Sequence, residues 1–486
     1  MAKVPEKTMQ APMSQQKLEE IIKAVKTLLD KQKVVEELIH KQPSAQHQLV
    51  ESLVHRQHLA ELEQQLQKLH IADLSHTIEI LPPADRMRIW EIIRYQRGGE
   101  VLLDISDSVR QSLISTMNED ELLKVLSPLD GDDLTFIADD IPHDVLQKCL
   151  ENLTHADKAW FHSSFSYDED KVGHLMTNEM VVFHDHQTIA EISQLLRTLP
   201  ELPTHNDKVF IVDSRGLLAG ALTLQSILMS DPEKMAKEIM VKDLVKFSPD
   251  DDAGDASKAF ERYDLVSAPV INQRGKIIGR ITVDEVMDYI RGESTEDMLT
   301  MAGLRGEEDI FAPILSSARN RFTWLIINLF SAFIASRVIG LFENTIEQLV
   351  ALAALMPIVA SVGGNTGNQT TALIIRSLTQ GQITAHNTWH LVRKELSIGV
   401  VNGLVLGLLV GLFAFGLYQN YYLASVIAAA MLLELVFASL VGLSVPMLLK
   451  KFNKDPALGS SVILTACTDS VGFLIFLGLA TVFLYK

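Results

Sequence analysis

Asp469 is a carboxylate in the middle of an apolar run, within Thr465-Ala466-Cys467-Thr468-Asp469-Ser470-Val471-Gly472-Phe473. An ionised acid at mid-bilayer costs several kcal/mol, so it faces a cavity, a cation or a partner charge. An ion pair with Arg337 and a neutral, protonated carboxyl are the structural alternatives. Thr465 lies one helical turn before the acid and Thr468 adjoins it, so either hydroxyl could hold a water. One carboxylate beside amides and carbonyls suits a small cation that keeps much of its hydration shell, as Mg2+ does. The second chemical stretch is Gly363-Gly364-Asn365-Thr366-Gly367-Asn368-Gln369, inside the uncharged run 349–375 that also carries Pro357. Lipid tolerates a broken helix only where the freed backbone faces protein or a watery cavity. Either this is a broken span lining a conduction path, with Gly364, Asn365 and Asn368 along it, or its small residues serve close helix packing. Glu434 is a further acid in an apolar run; with no polar motif around it, it reads as paired or protonated at a helix interface.

Outside the apolar half, Asp284, Glu285, Asp288, Glu293, Glu296 and Asp297 crowd one expected helix against Arg291 alone. Such a surface repels itself, and Asp455 in the loop before the last apolar run could face it. Divalent ions bridging these groups would draw the parts together, giving a gate worked by cytosolic cation. The plainer alternative is a solvated acidic face.

These residues must be positioned by a membrane domain and by soluble domains before it. Apolar runs predict five spans, near 322–342, 349–375, 396–417, 423–449 and 456–485, the third and fourth divided at residues 418–422. Lys and Arg cluster before the first span, between the second and third, and between the fourth and fifth. By the positive-inside rule residues 1–318 are cytoplasmic and the C-terminus is outside. The N-terminus is a polar, Lys- and Gln-rich lead without a signal-peptide pattern. The chain carries −18 overall; the part from Arg319 onward has 10 basic and 6 acidic residues, leaving −22 on the remainder. That imbalance argues against nucleic acid and favours a cation ligand, although acidic faces also simply keep large domains soluble. Cys149 and Cys467 imply neither a disulfide framework nor a thiolate metal site.

The soluble part divides in two. A lead of residues 1–45, its first 14 read as disordered, precedes an all-α helical-repeat domain over 46–165, with apolar residues at three- and four-residue spacing in 53–69 and 101–126. Short breakers such as Leu81-Pro82-Pro83 and Ile141-Pro142 separate helix pairs, as in a small superhelix. Acids decorate the turns, notably Asp130, Asp132 and Asp133, and Asp132 is a good helix N-cap candidate. Residues 170–292 then hold an internal repeat: 209–223 matches 268–282, each a strand, an Arg-Gly turn and a second strand before a helix. This resembles a tandem pair of α/β CBS domains, over 170–230 and 231–292. CBS pairs often bind adenine nucleotides such as ATP. Thr282 and Asp284 stand where that family's ribose-binding Thr and Asp are, whereas the first unit has Thr223 with Gln225. A Thr-x-Asp is also a common helix cap.

A helical N-domain, paired CBS domains, an acidic connecting (plug) helix over 293–318 and a five-helix transmembrane domain over 319–486 together resemble the MgtE family of magnesium transporters or channels. The most specific pieces are the Gly363–Gln369 stretch, Asp455-Pro456-Ala457-Leu458 and Thr468-Asp469-Ser470-Val471-Gly472. The resemblance implies a multi-pass inner-membrane homodimer in contact with lipid, with a pore on its two-fold axis. Asp469 of each subunit would bind hydrated Mg2+, with backbone of the glycine-rich break lining the path. It implies regulatory cation positions at Glu285, Asp288, Glu293, Glu296, Asp297 and Asp455, with Asp264 and an acid of the Asp130–Asp133 turn, such as Asp132 or Asp133, as partners across interfaces. Glu434 is not a feature the resemblance carries. No Gly-x-x-x-x-Gly-Lys-Ser/Thr loop is present, so the expectation is no enzyme but passive, gated permeation. An inside-negative potential supplies ~4.6 kcal/mol per 100 mV for a divalent ion. Two rivals are a transporter of Co2+, Mn2+ or Ca2+, and a membrane-anchored CBS nucleotide sensor. The spans offer no Cys, His or Met cluster, which counts against softer metals.

Overall fold

The computed structural model describes residues 15–40, 59–304, 308–384 and 386–484. The chain forms two compact units, residues 1–290 with 309–311, and residues 291–308 with 312–486. The first 14 residues and the start of the periodic segment at 53–58 lie outside the described residues.

Short helices open the first unit because their starts are signalled locally. Asn118 and Glu121 form a capping box at Glu119–Leu126, and prolines begin or precede Pro83–Ile93 and His143–Asn152. Ile71–Glu79 packs on Gly98–Asp104, that on Glu119–Leu126, and that on His143–Asn152, a stacking that suits the expected helical repeat. Their apolar faces form one core around Leu62, Leu74, Trp90, Leu102 and Leu113. Helix Gln15–His40 sinks Val25 and Leu29 into the same core, so the lead placed outside this domain contributes to it. Arg86 is 1% exposed and donates to the Ile78 and Glu79 carbonyls and, at 2.6 Å, to Asp309 just before the first long apolar helix.

The CBS repeat folds twice by one device. Strand Lys208–Val212 pairs in parallel with Val182–His184 and antiparallel with Leu218–Thr223; Ser267–Ile271 pairs antiparallel with Ile277–Thr282 and receives a parallel bridge from Phe247. In the first hairpin Asp213 Oδ1 accepts from the Arg215 and Leu217 amides, and in the second Asn272 Oδ1 accepts from those of Arg274 and Lys276. Gly216 (φ 78°) and Gly275 (φ 76°) close these turns in the left-handed region, where a Cβ would be strained. The acidic helix runs unbroken over Val283–Met301, so it starts ten residues before the boundary expected at 293.

The second unit is built of long helices: Ile314–Gly340, Ala351–Thr379, Thr388–Tyr418, Tyr421–Lys451 and Ser460–Leu484. Four of them are long and apolar enough to cross a membrane; Ala351–Thr379 is diluted by its polar motif. At ~1.5 Å per residue its 29 residues still exceed the ~30 Å hydrocarbon core. The break expected in this helix is absent. Pro357 and the whole glycine motif lie within it, so their carbonyls are committed to helical hydrogen bonds rather than freed. The small residues serve packing instead, as the alternative reading had it. Between Thr388–Tyr418 and Tyr421–Lys451 the turn comes at Gln419 (φ 50°), and Asn420 Oδ1 caps the next helix through the Tyr422 and Leu423 amides.

Glycines 399, 403, 407 and 411, one every four residues, form a seam against Tyr421–Lys451. A Cβ on Gly407 would stand 2.6 Å from the Ala428 carbonyl oxygen, and one on Gly403 2.9 Å from Leu432 Cα. Both obstacles are backbone. Gly407→Val is therefore expected to destabilise the protein by about 1–3 kcal/mol, visible as a lower Tm in detergent; an unchanged Tm would show the seam to be loose. Elsewhere in this unit Trp324 lies where Cβ atoms on Gly303 (φ 78°) and Gly459 (φ 64°) would collide with its ring, the latter at 2.7 Å.

Candidate cation path and acidic cluster

In the second unit three helices meet around the motifs that carry chemistry. Gly363 and Gly367 are buried, and each lets another helix approach: a Cβ would stand 2.5 Å from Glu434 Oε1 at Gly363 and 2.6 Å from Leu464 Cδ1 at Gly367. Gly442 returns the favour, its Cβ position lying 2.6 Å from the Gly367 carbonyl oxygen, and Thr371 donates to the Gly442 carbonyl at 3.1 Å. A Cβ on Gly364 would stand 3.9 Å from Thr468 Oγ1, in ordinary contact, so the glycine motif and the Asp469 helix are neighbours. Asp469 is half-buried, one residue beyond the fully buried Thr468. The Thr465 and Thr468 hydroxyls both donate to carbonyls of their own helix, Ser461 and Leu464, leaving only oxygen lone pairs for a water or ion. Asn368 is half-buried, whereas Ser361, Asn365 and Gln369 make an exposed polar stripe at four-residue spacing. Arg337, the expected alternative partner of Asp469, is exposed near the end of Ile314–Gly340.

Within the first unit the acids of the 130–133 turn gather near those of the acidic helix. Asp130, not Asp132, is the N-cap of Gly131–Phe136: its Oδ1 accepts from the Asp132 and Asp133 amides at 2.9 and 3.0 Å, and Asp133 completes a capping box. The Asp-x-x-Asp spacing was the signal for that box. Asp132 is thereby free to reach across the unit, where its Oδ2 accepts from the Thr177 hydroxyl at 2.6 Å. Its Oδ1 is buried beside the Trp160 indole. Burial pushes the Asp132 carboxyl up to about 6 against the pull of Thr177, and burial with the charge of Asp130 does the same for Asp133. Glu285 is raised to about 7, by burial first and then by Asp284, Asp288, Asp132 and Asp133. Asp264 is instead an exposed residue that ends helix Ala253–Tyr263 in the left-handed region (φ 49°).

Thr282 is buried at the end of its strand, and Asp284 opens the helix that follows. Asp284 Oδ2 lies 3.5 Å from His205 Nε2, while Arg280 beneath holds the same loop through the Thr204 and His205 carbonyls. In the first repeat Thr223 is the helix cap, bonded to the Ser226 amide. Within the second unit Asp297 is raised to about 6 by burial and then by the charges of Asp455 and Glu296. Glu293 and Asp288 are exposed on that helix. Among the described residues no three His, Cys, Asp or Glu side chains form a ready metal site. A cation at either cluster would thus have to complete its shell with water or with groups brought from elsewhere. Glu434 sits at a helix junction, as its sequence context suggested, whereas the Arg86–Asp309 pair was not foreseen; 223 residues separate those two, and no local pattern announces such a pairing.

Comparison with known proteins covers both halves. Family models match at residues 69–170 (MgtE intracellular N domain), 236–292 (CBS domain) and 356–479 (MgtE, divalent cation transporter). The chain is similar to the magnesium transporter MgtE of Thermus thermophilus, at 29% identity over 87% of this chain and 98% of the relative. It is similar also to that of Bacillus subtilis, at 23% identity over 87% and 93%. A solved cytosolic domain of the Mg2+ channel MgtE in complex with ATP aligns with 48% of this chain and 99% of its own at 25% identity, with a TM-score of 0.35. With a helical N-domain, a CBS repeat and a helical membrane half in the family's order, this multi-pass membrane protein belongs to the MgtE family of divalent cation transporters.

Proposed function

We propose that the protein is a gated Mg2+ uptake pore of the inner membrane, working as a homodimer with its N-terminal domains in the cytoplasm. The observation that carries this is the junction of Gly364 with Thr468 beside Asp469, continued by the exposed stripe Ser361, Asn365 and Gln369. Amides facing lipid are costly, so that stripe is best satisfied by a water-filled path shared with a second copy. Its side-chain amides, rather than freed carbonyls, would then line the route, with Asn368 behind them. Exposed Leu228 and Met229 on the first CBS repeat, 80% and 82% accessible, support a second copy as well. Lys and Arg in alternate loops support the cytoplasmic placing.

The regulatory part of the reading is that cytosolic Mg2+ closes the pore through the acids of the N-domain turn, the acidic helix and the 455 loop. The buried Asp132 carboxyl and the acids around Glu285 are hard oxygen donors of the kind Mg2+ takes. These carboxyls have raised values in the fold, so their charged forms weaken it. That penalty grows as pH rises from the ordinary carboxylate range near ~4 through about 6 and 7, and it is fully present above. A bridging cation offsets it. Added Mg2+ should therefore raise the Tm of the full-length protein more at pH 8 than at pH 5, and equal shifts at both would remove this cluster from the gate. Thr282 and Asp284 support an adenine nucleotide at the second CBS repeat.

The experiment for the whole reading is Mg2+ flux into liposomes holding the purified protein, with Co2+, Mn2+ and Ca2+ as competitors and Mg2+ varied on the cytoplasmic face. Flux selective for Mg2+ that falls as cytoplasmic Mg2+ rises is expected. No flux under any of these conditions would revive the sensor alternative, and preferred flux of another divalent would reassign the substrate.

A further inference from the structure

Glu434 is an acid that the pore as described does not use. It is fully buried, at 0% exposure, in helix Tyr421–Lys451, and neither carboxyl oxygen has a hydrogen-bond partner among the described residues. A carboxylate so placed is held only if it is neutral or if a cation balances it. Its surroundings favour the cation. The carboxyl lies against Gly363, next to the candidate path residue Gly364, and against Gly472, three residues after Asp469. At Gly472 a Cβ would stand 3.0 Å from Glu434 Oε2, so two helices give up a side chain where this carboxyl sits. Three residues are about one helical turn, so Gly472 and Asp469 share a face of their helix, and that face is turned to Glu434. A carboxyl that merely filled space would need no such pair of glycines, nor a place between the two helices that carry the path.

We propose that Glu434 is a second ion-coordinating carboxylate of the permeation path. With Asp469 it makes a two-carboxylate station for a divalent cation that keeps part of its water shell, the coordination Mg2+ prefers. The proposal rests on the pore reading above. It adds a ligand from a third helix, and with it a means of selecting divalent over monovalent ions, since one Na+ or K+ cannot neutralise two carboxylates.

The test separates charge from shape. In liposomes, Glu434→Gln keeps the volume and loses the charge, and it is expected to raise the KM for Mg2+ roughly 10–100-fold, the usual cost of disturbing a metal shell. Glu434→Asp keeps the charge and should stay within about threefold of wild type, as its carboxylate remains on the same wall. Gly472→Ala leaves the charge but pushes the carboxyl aside; it should raise KM like the Gln variant, and it serves as the probe if the latter does not fold. A Gln variant, or failing that the Ala variant, with wild-type KM overturns the proposal, because the acid is then filler. So does an Asp variant as poor as Gln, because shape is then what the position needs. If wild type carries no flux, or Asp469→Asn transports normally, it is the pore reading that fails.

Discussion

Asp469→Asn is expected to lower Mg2+ flux into liposomes by at least roughly 100-fold while leaving the Tm in detergent close to that of wild type. Asn has the shape of Asp without its charge. Asp469 is half-buried beside Thr468, and both threonine hydroxyls near it spend their protons on their own helix. The Asn amide offers a cation only a neutral carbonyl oxygen, and a lone carboxylate at Glu434 would leave the station half-charged. Removing one partner of a charge pair in a low-dielectric place costs ~3 kcal/mol or more, which is about 100-fold in occupancy. The fold should survive because the surrounding core, Leu355, Leu435, Phe476 and Leu477, makes no use of the charge. Wild-type flux in a folded Asn variant would remove Asp469 from the path.

Arg86→Leu is expected to destabilise the first unit by about 3–5 kcal/mol, read as a large fall in its Tm. Arg86 and Asp309 are 1% and 9% exposed at their side chains and 2.6 Å apart, so Asp309 would be left buried and charged, and the Ile78 and Glu79 carbonyls without their donor. Burial alone would raise the Asp309 carboxyl, but the Arg86 bond and the Phe311 amide outweigh it and hold it below the usual range. The sign follows. A lowered carboxyl stabilises the fold above its ordinary value, and the benefit is lost as pH falls through the lowered one. The Tm difference between wild type and Arg86→Leu should therefore shrink below pH ~4. A difference that held steady down to pH 3 would mean that the pair is not the source of the stability.

Much of this architecture was legible in the sequence because its determinants are local. Bilayer thickness writes itself as runs of apolar residues, so the helices of the membrane half lie close to their expected places, the first four longer than expected and the last shorter. The CBS repeat was visible as a repeated Arg-Gly turn, since a left-handed residue after an Asx turn leaves few choices but glycine. What the sequence could not decide was set by partners far along the chain. Pro357 and three glycines are as compatible with a broken helix as with a packed one. The outcome was decided by Glu434, Gly442 and Leu464, whose approach the glycines permit. The same holds for Asp132, where a cap was expected: Asp130 took the cap, and Asp132 turned to Thr177, 45 residues on. The acids of the connecting helix were legible as a group, but which of them meet Asp132 or Asp455 depends on tertiary placement.

Trp324 gives this transporter a built-in optical signal. Its indole is wedged between Gly303, at the end of the acidic helix, and Gly459, in the turn before the Asp469 helix, and its ring nitrogen is buried without an acceptor among the described residues. Separation of those two glycines would wet the ring and shift its emission to longer wavelength. Of the chain's four tryptophans, Trp90 and Trp160 belong to the other unit, and exposed Trp389 already samples solvent or lipid. A chain reduced to Trp324 alone would thus report the state of the junction as a colour change, with no label attached and no ion flux required.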